Sequence, residues 1–123
     1  MVIDTSVFIE HLRAKDKLNT TLYLLLDNTE LFISSVSMYE LYMGATSVEK
    51  ENDIVAITED IQILPFTATV THKAARLYHL LKKENKLIEF RDIFIAATCI
   101  VNELPLVTLN KKHFNRIEEL KLV

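Results

Sequence analysis

Three acids and an amide hold comparable places along the 123-residue chain. Asp4 follows Val2-Ile3, Glu40 ends the run Ser34-Ser35-Val36-Ser37-Met38-Tyr39-Glu40, Asp92 precedes Ile93-Phe94-Ile95-Ala96-Ala97, and Asn110 follows Leu106-Val107-Thr108-Leu109. Oxygen donors of this kind suit a hard divalent cation, Mg²⁺ or Mn²⁺, which takes carboxylate, amide and water oxygens. Zinc is poorly supplied, because Cys99 is the single cysteine and His72 and His79 have no glutamate between them in a metalloprotease arrangement. Each of the four residues also has a plainer explanation as helix punctuation. Asp4 and Asn110 are favoured N-caps, Ser37 and Glu40 have the spacing of a capping box, and Asp92 opens a helix whose dipole favours an acid. If Ser34 or Ser35 is the cap instead of Ser37, Glu40 falls in the second turn and can face across a sheet edge. An acid heading so apolar a helix is costly to bury unless it meets a cation or several donors. Capping also leaves the joint placement of the four unexplained, since carboxylates brought together repel unless a cation neutralises them.

The elements that position these residues follow from periodicity. Val2-Ile3, Leu31-Phe32-Ile33, Ile61-Gln62-Ile63-Leu64 and Leu106-Val107 are short apolar runs that read as strands. Between them, Leu18, Leu22, Leu25 and Leu26 fall on one helical face, as do Val70, Ala74, Leu77 and Leu81. Further helices are expected over residues 37–45, 47–58 and 93–101, the last apolar almost all round and so the most buried. Residues 114–120 read as a short helical turn leading into a last edge strand. Alternating strands and helices specify an α/β fold with a mostly parallel sheet, whose ligands gather at the carboxyl ends of the strands. His72 and His79 read as helix-surface residues and Cys99 as a small buried side chain. Tyr39 and Tyr42 flank Glu40; packing is the simpler reading of both, and stacking on a base the other.

Composition bounds the rest. Half of the residues are apolar and a quarter charged, with one Gly and two Pro, which excludes disordered and fibrous classes and leaves room for a single domain over 1–123. No stretch approaches the roughly 18 apolar residues of a membrane span. No basic, apolar leader opens the chain and no cysteine pair is available, so a cytoplasmic protein is expected. Fourteen basic against seventeen acidic residues give a net charge of −3, which argues against binding nucleic acid by bulk electrostatics while allowing a local basic rim.

With these motifs in view, the chain resembles the PIN-domain ribonucleases and, within them, the VapC-type toxins of toxin–antitoxin pairs. The resemblance runs nearly the full length, through Val-Ile-Asp-Thr-Ser at 2–6, Ile-Ser-Ser-Val-Ser-Met-Tyr-Glu-Leu at 33–41, Arg-Asp-Ile-Phe-Ile-Ala-Ala-Thr at 91–98 and Leu-Val-Thr-Leu-Asn-Lys-Lys-His-Phe at 106–114. It implies an α/β/α sandwich around the sheet and metal-assisted hydrolysis of RNA phosphodiesters. In that scheme Asp4 and Asp92 hold Mg²⁺ or Mn²⁺, Glu40 completes the shell or accepts a proton from the attacking water, and Asn110 joins them. Ser6 and Thr108 match positions that orient the ligands. Arg91, Lys86, Lys111, Lys112, His113 and Arg116 are candidates for phosphate contacts.

The family commonly carries a further acid where Asn110 stands or just before the Phe, where this chain has His113. That departure motivates a second hypothesis, a non-catalytic RNA-binding or scaffold protein with a decayed metal site. A phosphotransferase with Asp4 as nucleophile lacks its second Asp, because Ser6 takes that place. The resemblance further implies a cognate antitoxin that blocks the acidic site, and a homodimer. Leu22, Tyr23 and Leu26 exceed what one helix face buries, which fits an intermolecular groove.

Overall fold

The computed structural model describes residues 1–27 and 30–123. Among the described residues four strands form one sheet: β1 (Val2–Ile3), β2 (Phe32–Ser34), β3 (Gln62–Leu64) and β4 (Leu106–Val107). Their order is β3-β2-β1-β4 and every pairing is parallel, with Val2 opposite Phe32 and Leu106, Ile3 opposite Val107, and Ile33 opposite Ile63. A parallel bridge from Leu106 to Leu122 lies beyond β4. The helices are α1 (Thr5–Arg13), α2 (Thr21–Leu25), α3 (Ser35–Gly44), α4 (Val48–Thr58), α5 (Ala68–Lys83), α6 (Phe90–Val101) and α7 (Lys111–Phe114), with a 3₁₀ turn at Lys17–Asn19.

Successive strand residues point to opposite faces, and the two cores divide accordingly. Val2, Leu64 and Leu106 join Val70, Ala74, Leu77, Leu81 and the buried face of α6 on one side. Ile3, Ile33 and Val107 join Val7, Phe8, Leu22, Leu41 and Ile54 on the other. The result is the expected α/β/α sandwich. With both faces covered, the strands carry apolar side chains on both, as parallel sheets require. Of the seven residues of α6 from Ile93 to Cys99 six are buried, five of them apolar, as its composition predicts. Burial pushes the Cys99 thiol up to about 12, which leaves it an inert packing group.

Three expectations are corrected. The Leu18–Leu26 face is not one helix: Asp16 accepts the Leu18 N–H at 3.1 Å and Thr20 accepts the Tyr23 N–H at 3.3 Å, so two local caps restart the chain. Only Leu22 of that set is buried, while Leu18 and Leu26 are 61% and 51% exposed. The last helical turn lies at Lys111–Phe114 rather than 114–120, because the Asn110 carbonyl already accepts from His113 N–H at 3.1 Å. Phe114, Ile117 and Leu120 are nonetheless buried. Tyr39 and Tyr42 do not pack inside: they are 60% and 38% exposed, since the buried face of α3 is occupied by Ser37 and Leu41.

The start of α3 resolves the position of Glu40. Ser34, fully buried, accepts the Ser37 N–H at 3.0 Å and donates to the Ser37 hydroxyl at 3.2 Å. Ser34 is therefore the cap, and Glu40 lies in the second turn, free of any capping box. Replacing this cap, Ser34→Ala, is expected to cost about 1–2 kcal/mol in unfolding free energy. Urea denaturation followed by circular dichroism checks the value, and an unchanged midpoint would remove the cap from the account of α3.

Candidate acidic site at the carboxyl edge of the sheet

In an all-parallel sheet the ends of β1, β2 and β4 share one edge. Asp4 leaves β1, α3 carries Glu40 away from β2, and Thr108 and Asn110 follow β4. α6 precedes β4 and enters from the same edge, so its first turn places Asp92 there as well.

Asp4 is 4% exposed and stands at the N-cap position of α1, yet its side chain caps nothing. Its Oδ2 instead accepts from Ser6 Oγ at 2.7 Å and from Thr108 Oγ1 at 2.8 Å. Each hydroxyl then accepts a backbone N–H in turn, that of Leu109 on Ser6 at 3.1 Å and that of Asn110 on Thr108 at 2.9 Å. Both hydroxyls thus spend their donor on the carboxylate, and Oδ1 takes no hydrogen bond among the described residues. The two residues expected to orient the site lie against its first acid.

Glu40 receives Thr5 Oγ1 on Oε1 at 2.9 Å and faces Arg91 Nη1 across 3.7 Å on Oε2. Thr5 escaped the sequence reading; its only signal was its place between Asp4 and Ser6. Arg91 also faces Glu89 at 3.5 Å, so this candidate phosphate contact is engaged with acids. Asp92 is half-buried, and its carboxylate has neither hydrogen bond nor ion pair among the described residues. Its carboxyl is pushed up to about 6, first by burial and then by the charges of Asp4, Glu40 and Glu89, with His113 acting in the opposite sense. The three acids therefore share one electrostatic neighbourhood. Among the described residues no three His, Cys, Asp or Glu side chains form a group of the kind that holds a metal ion, Glu40 being turned to Thr5 and Arg91.

Asn110 precedes α7 without capping it through its side chain; its Nδ2 lies 3.1 Å from His113 Nδ1. Lys111, Lys112 and His113 are exposed on α7. Arg116 donates to the Leu87 carbonyl at 2.9 Å, and Lys86 sits 3.8 Å from Glu84. His72 and His79 are exposed on α5, as expected.

The chain is thus an α/β/α sandwich with acids near the carboxyl edge of its parallel sheet, and the comparisons with known proteins identify the family. The family model of the PIN domain matches residues 1–120. Ribonuclease VapC1 of Methanocaldococcus jannaschii is 32% identical over 99% of this chain and 84% of its own length. Ribonuclease VapC10 of Mycobacterium tuberculosis is 30% identical over 98% and 90%. Among solved structures, VapBC2 from Rickettsia felis bound to a promoter DNA fragment superposes with a TM-score of 0.86 at 26% identity, covering 99% of this chain and 96% of that one. VapBC-1 from nontypeable Haemophilus influenzae gives 0.81 at 28%, covering 99% and 95%. The chain belongs to the PIN-domain family.

The raised pKa of Asp92 has a consequence for stability. Between about pH 4 and 6 the folded chain retains a proton that the unfolded chain has lost, so stability falls as pH rises through that window and stays lowered above it. In EDTA, Asp92→Asn is expected to raise the melting temperature at pH 7.5 and to leave it nearly unchanged at pH 4. Scanning calorimetry at the two pH values checks this; an equal effect at both would show that the ionised carboxylate is not the source.

Proposed function

We propose that this chain is a divalent-metal-dependent endoribonuclease, the toxin of a type II toxin–antitoxin pair, folded as one PIN domain over residues 1–123. The observation that carries the reading is the convergence of Asp4, Glu40 and Asp92 on one sheet edge, where Asp92 is pushed toward neutrality by burial and by its acidic neighbours. The donor chemistry is that of a hard cation, all oxygens, with Asp4 Oδ1 and the Asp92 carboxylate free of protein donors among the described residues and Glu40 still held by Thr5 and Arg91. The VapC ribonucleases similar to the chain over nearly its full length support the activity. The VapBC complexes superposing on it support a protein antitoxin as partner.

Asp4 and Asp92 would hold Mg²⁺ or Mn²⁺, with Glu40 beside them. Bound there, the ion supplies charge stabilisation at the phosphate and lowers the pKa of a coordinated water. The chain's own residues do the rest. Ser6 and Thr108 hold the Asp4 carboxylate by Oδ2 and leave Oδ1 without a protein donor among the described residues. Thr5 holds Glu40 by Oε1 and leaves Oε2 to Arg91 or to a proton taken from water. Asn110 positions His113, and Lys111 and Lys112 offer exposed cations for the RNA backbone. No described helix is long and apolar enough to cross a membrane, and the reading places the protein in the cytoplasm as a homodimer, its acidic site closed by the antitoxin until released.

Titration of the antitoxin-free protein with Mn²⁺ by calorimetry tests the reading, beside an Asp4→Ala/Asp92→Ala variant. The expected outcome is binding by the wild type that the variant loses, with RNA cleavage arrested by EDTA and restored by Mn²⁺ or Mg²⁺. If neither protein binds the ion, the acids act as structural residues and the non-catalytic alternative stands.

A further inference from the structure

Glu40 is gripped at both carboxylate oxygens by its own chain. Thr5 Oγ1 donates to Oε1 at 2.9 Å, and Arg91 Nη1 stands 3.7 Å from Oε2. The two contacts differ in kind. The first has the length of a hydrogen bond and fixes one oxygen, whereas the second is too long for one, so charge alone holds the guanidinium at Oε2. The other arm of Arg91 is seated elsewhere, Nη2 donating to Glu89 Oε2 at 3.5 Å. Glu89 stands at the N-cap position of α6, but its side chain caps nothing and is 72% exposed, against 18% for Glu40. Arg91 thus divides its two terminal nitrogens between a carboxylate at the acidic edge and one facing water. Both contacts lie within one chain, between the second turn of α3 and the start of α6, so the pairing does not require either helix to be open to solvent.

We infer that Arg91 is a resident counter-cation that holds Glu40 away from the metal site until a divalent ion takes its place at Oε2, leaving Arg91 on Glu89. It is a positioning residue acting through Glu40, and the role rests on the metal reading above, to which it adds the order of events. The three acids share one electrostatic neighbourhood yet form no three-ligand group among the described residues, and the acid turned aside is the one that Arg91 faces. A guanidinium built for a permanent ion pair would place both arms on one carboxylate, the bidentate fork that Arg favours. The split seating observed here is instead ready for exchange. Oε2 cannot serve two cations at once, because they repel each other. A doubly charged ion at an Mg–O distance of about 2.1 Å attracts that oxygen far more strongly than a single charge at 3.7 Å. The exchange strands no group: Oε1 keeps the Thr5 hydroxyl and Arg91 keeps Glu89. Arg91 thereby sets the divalent-ion concentration at which the third acid joins the site.

Calorimetric titration with Mn²⁺, paired with melting temperatures in EDTA, tests this on the antitoxin-free protein. Arg91→Gln should melt lower than the wild type in EDTA, since Glu40 and Glu89 lose their counter-charge, and yet bind Mn²⁺ about three- to tenfold more tightly. Arg91→Lys, which keeps the charge, should return the affinity toward that of the wild type. In a Glu40→Gln background, whose remaining binding rests on Asp4 and Asp92, Arg91→Gln should no longer alter the affinity. A residue that merely packs α6 would lower melting temperature and affinity together. In the wild type, nuclear magnetic resonance should show the Arg91 Nε signal, assigned by its loss in Arg91→Lys, moving as Mg²⁺ is added. Wild-type binding of Mn²⁺ that Arg91→Gln leaves unchanged or weakens, or that it tightens equally without Glu40, overturns the counter-cation and leaves the metal reading standing. So does an Arg91 signal unmoved at saturating Mg²⁺. Binding of Mn²⁺ by none of these proteins overturns the metal reading and the exchange with it.

Discussion

A carboxylate at the end of a central strand has almost no access to water, and the protein must replace that water. Asp4 leaves β1, which has β2 on one side and β4 on the other, and among the described residues two hydroxyls solvate its carboxylate. Those hydroxyls come from segments more than a hundred residues apart, so satisfying one charge fastens the start of α1 to the loop after β4. The fastening depends on register: Ile3 pairs with Val107, which puts Thr108 beside Asp4, and the Asp4 N–H bonds the Val107 carbonyl at 2.9 Å. A one-residue slip would send Thr108 to the opposite face and leave the carboxylate without its second donor. Fold and site are thus specified by the same few contacts.

The other two acids are compensated unequally, and the inequality has chemical content. Glu40 has a hydroxyl and a guanidinium, whereas the Asp92 carboxylate has neither among the described residues and lies among like charges. Burial alone disfavours the charged form of Asp92, and the neighbouring carboxylates add to the effect. A site that is strained electrostatically when its acids are ionised is a site that gains from taking up positive charge. The family's common further acid would deepen that strain; Asn110 and His113 relieve it, since one is neutral and the other acts on Asp92 in the lowering direction. The departure from the family pattern is therefore a change in how much charge the site carries.

The sandwich, the parallel sheet and all four strands were legible because each rests on a short apolar run between helical patterns, and buried strands announce themselves that way. The four helix-edge residues were legible as candidates, but capping and catalysis use the same side chains. Only geometry separates them: Ser34 takes the cap of α3, and Asp4 turns from capping to the hydroxyls of Ser6 and Thr108. The broken helix at Leu18–Leu26 was illegible because the apolar spacing is genuine while the local caps at Asp16 and Thr20 override it. Tyr39 and Tyr42 misled for a related reason. Aromatic character suggests burial, yet a helix whose inner face is taken by Ser37 and Leu41 presents its tyrosines outward.

The outward aromatic residues give the acidic edge two unlike flanks. On the side of β4, the short α7 presents Lys111, Lys112 and His113 to solvent; on the side of α3 and α6, Tyr39 and Phe90 line an apolar cleft. A chain with net charge −3 cannot attract a polyanion over its whole surface, so any such attraction must be local. Exposed lysines without ion-pair partners among the described residues provide it on one flank, where a phosphate backbone gains most. Aromatic faces provide nothing for a phosphate and much for a base.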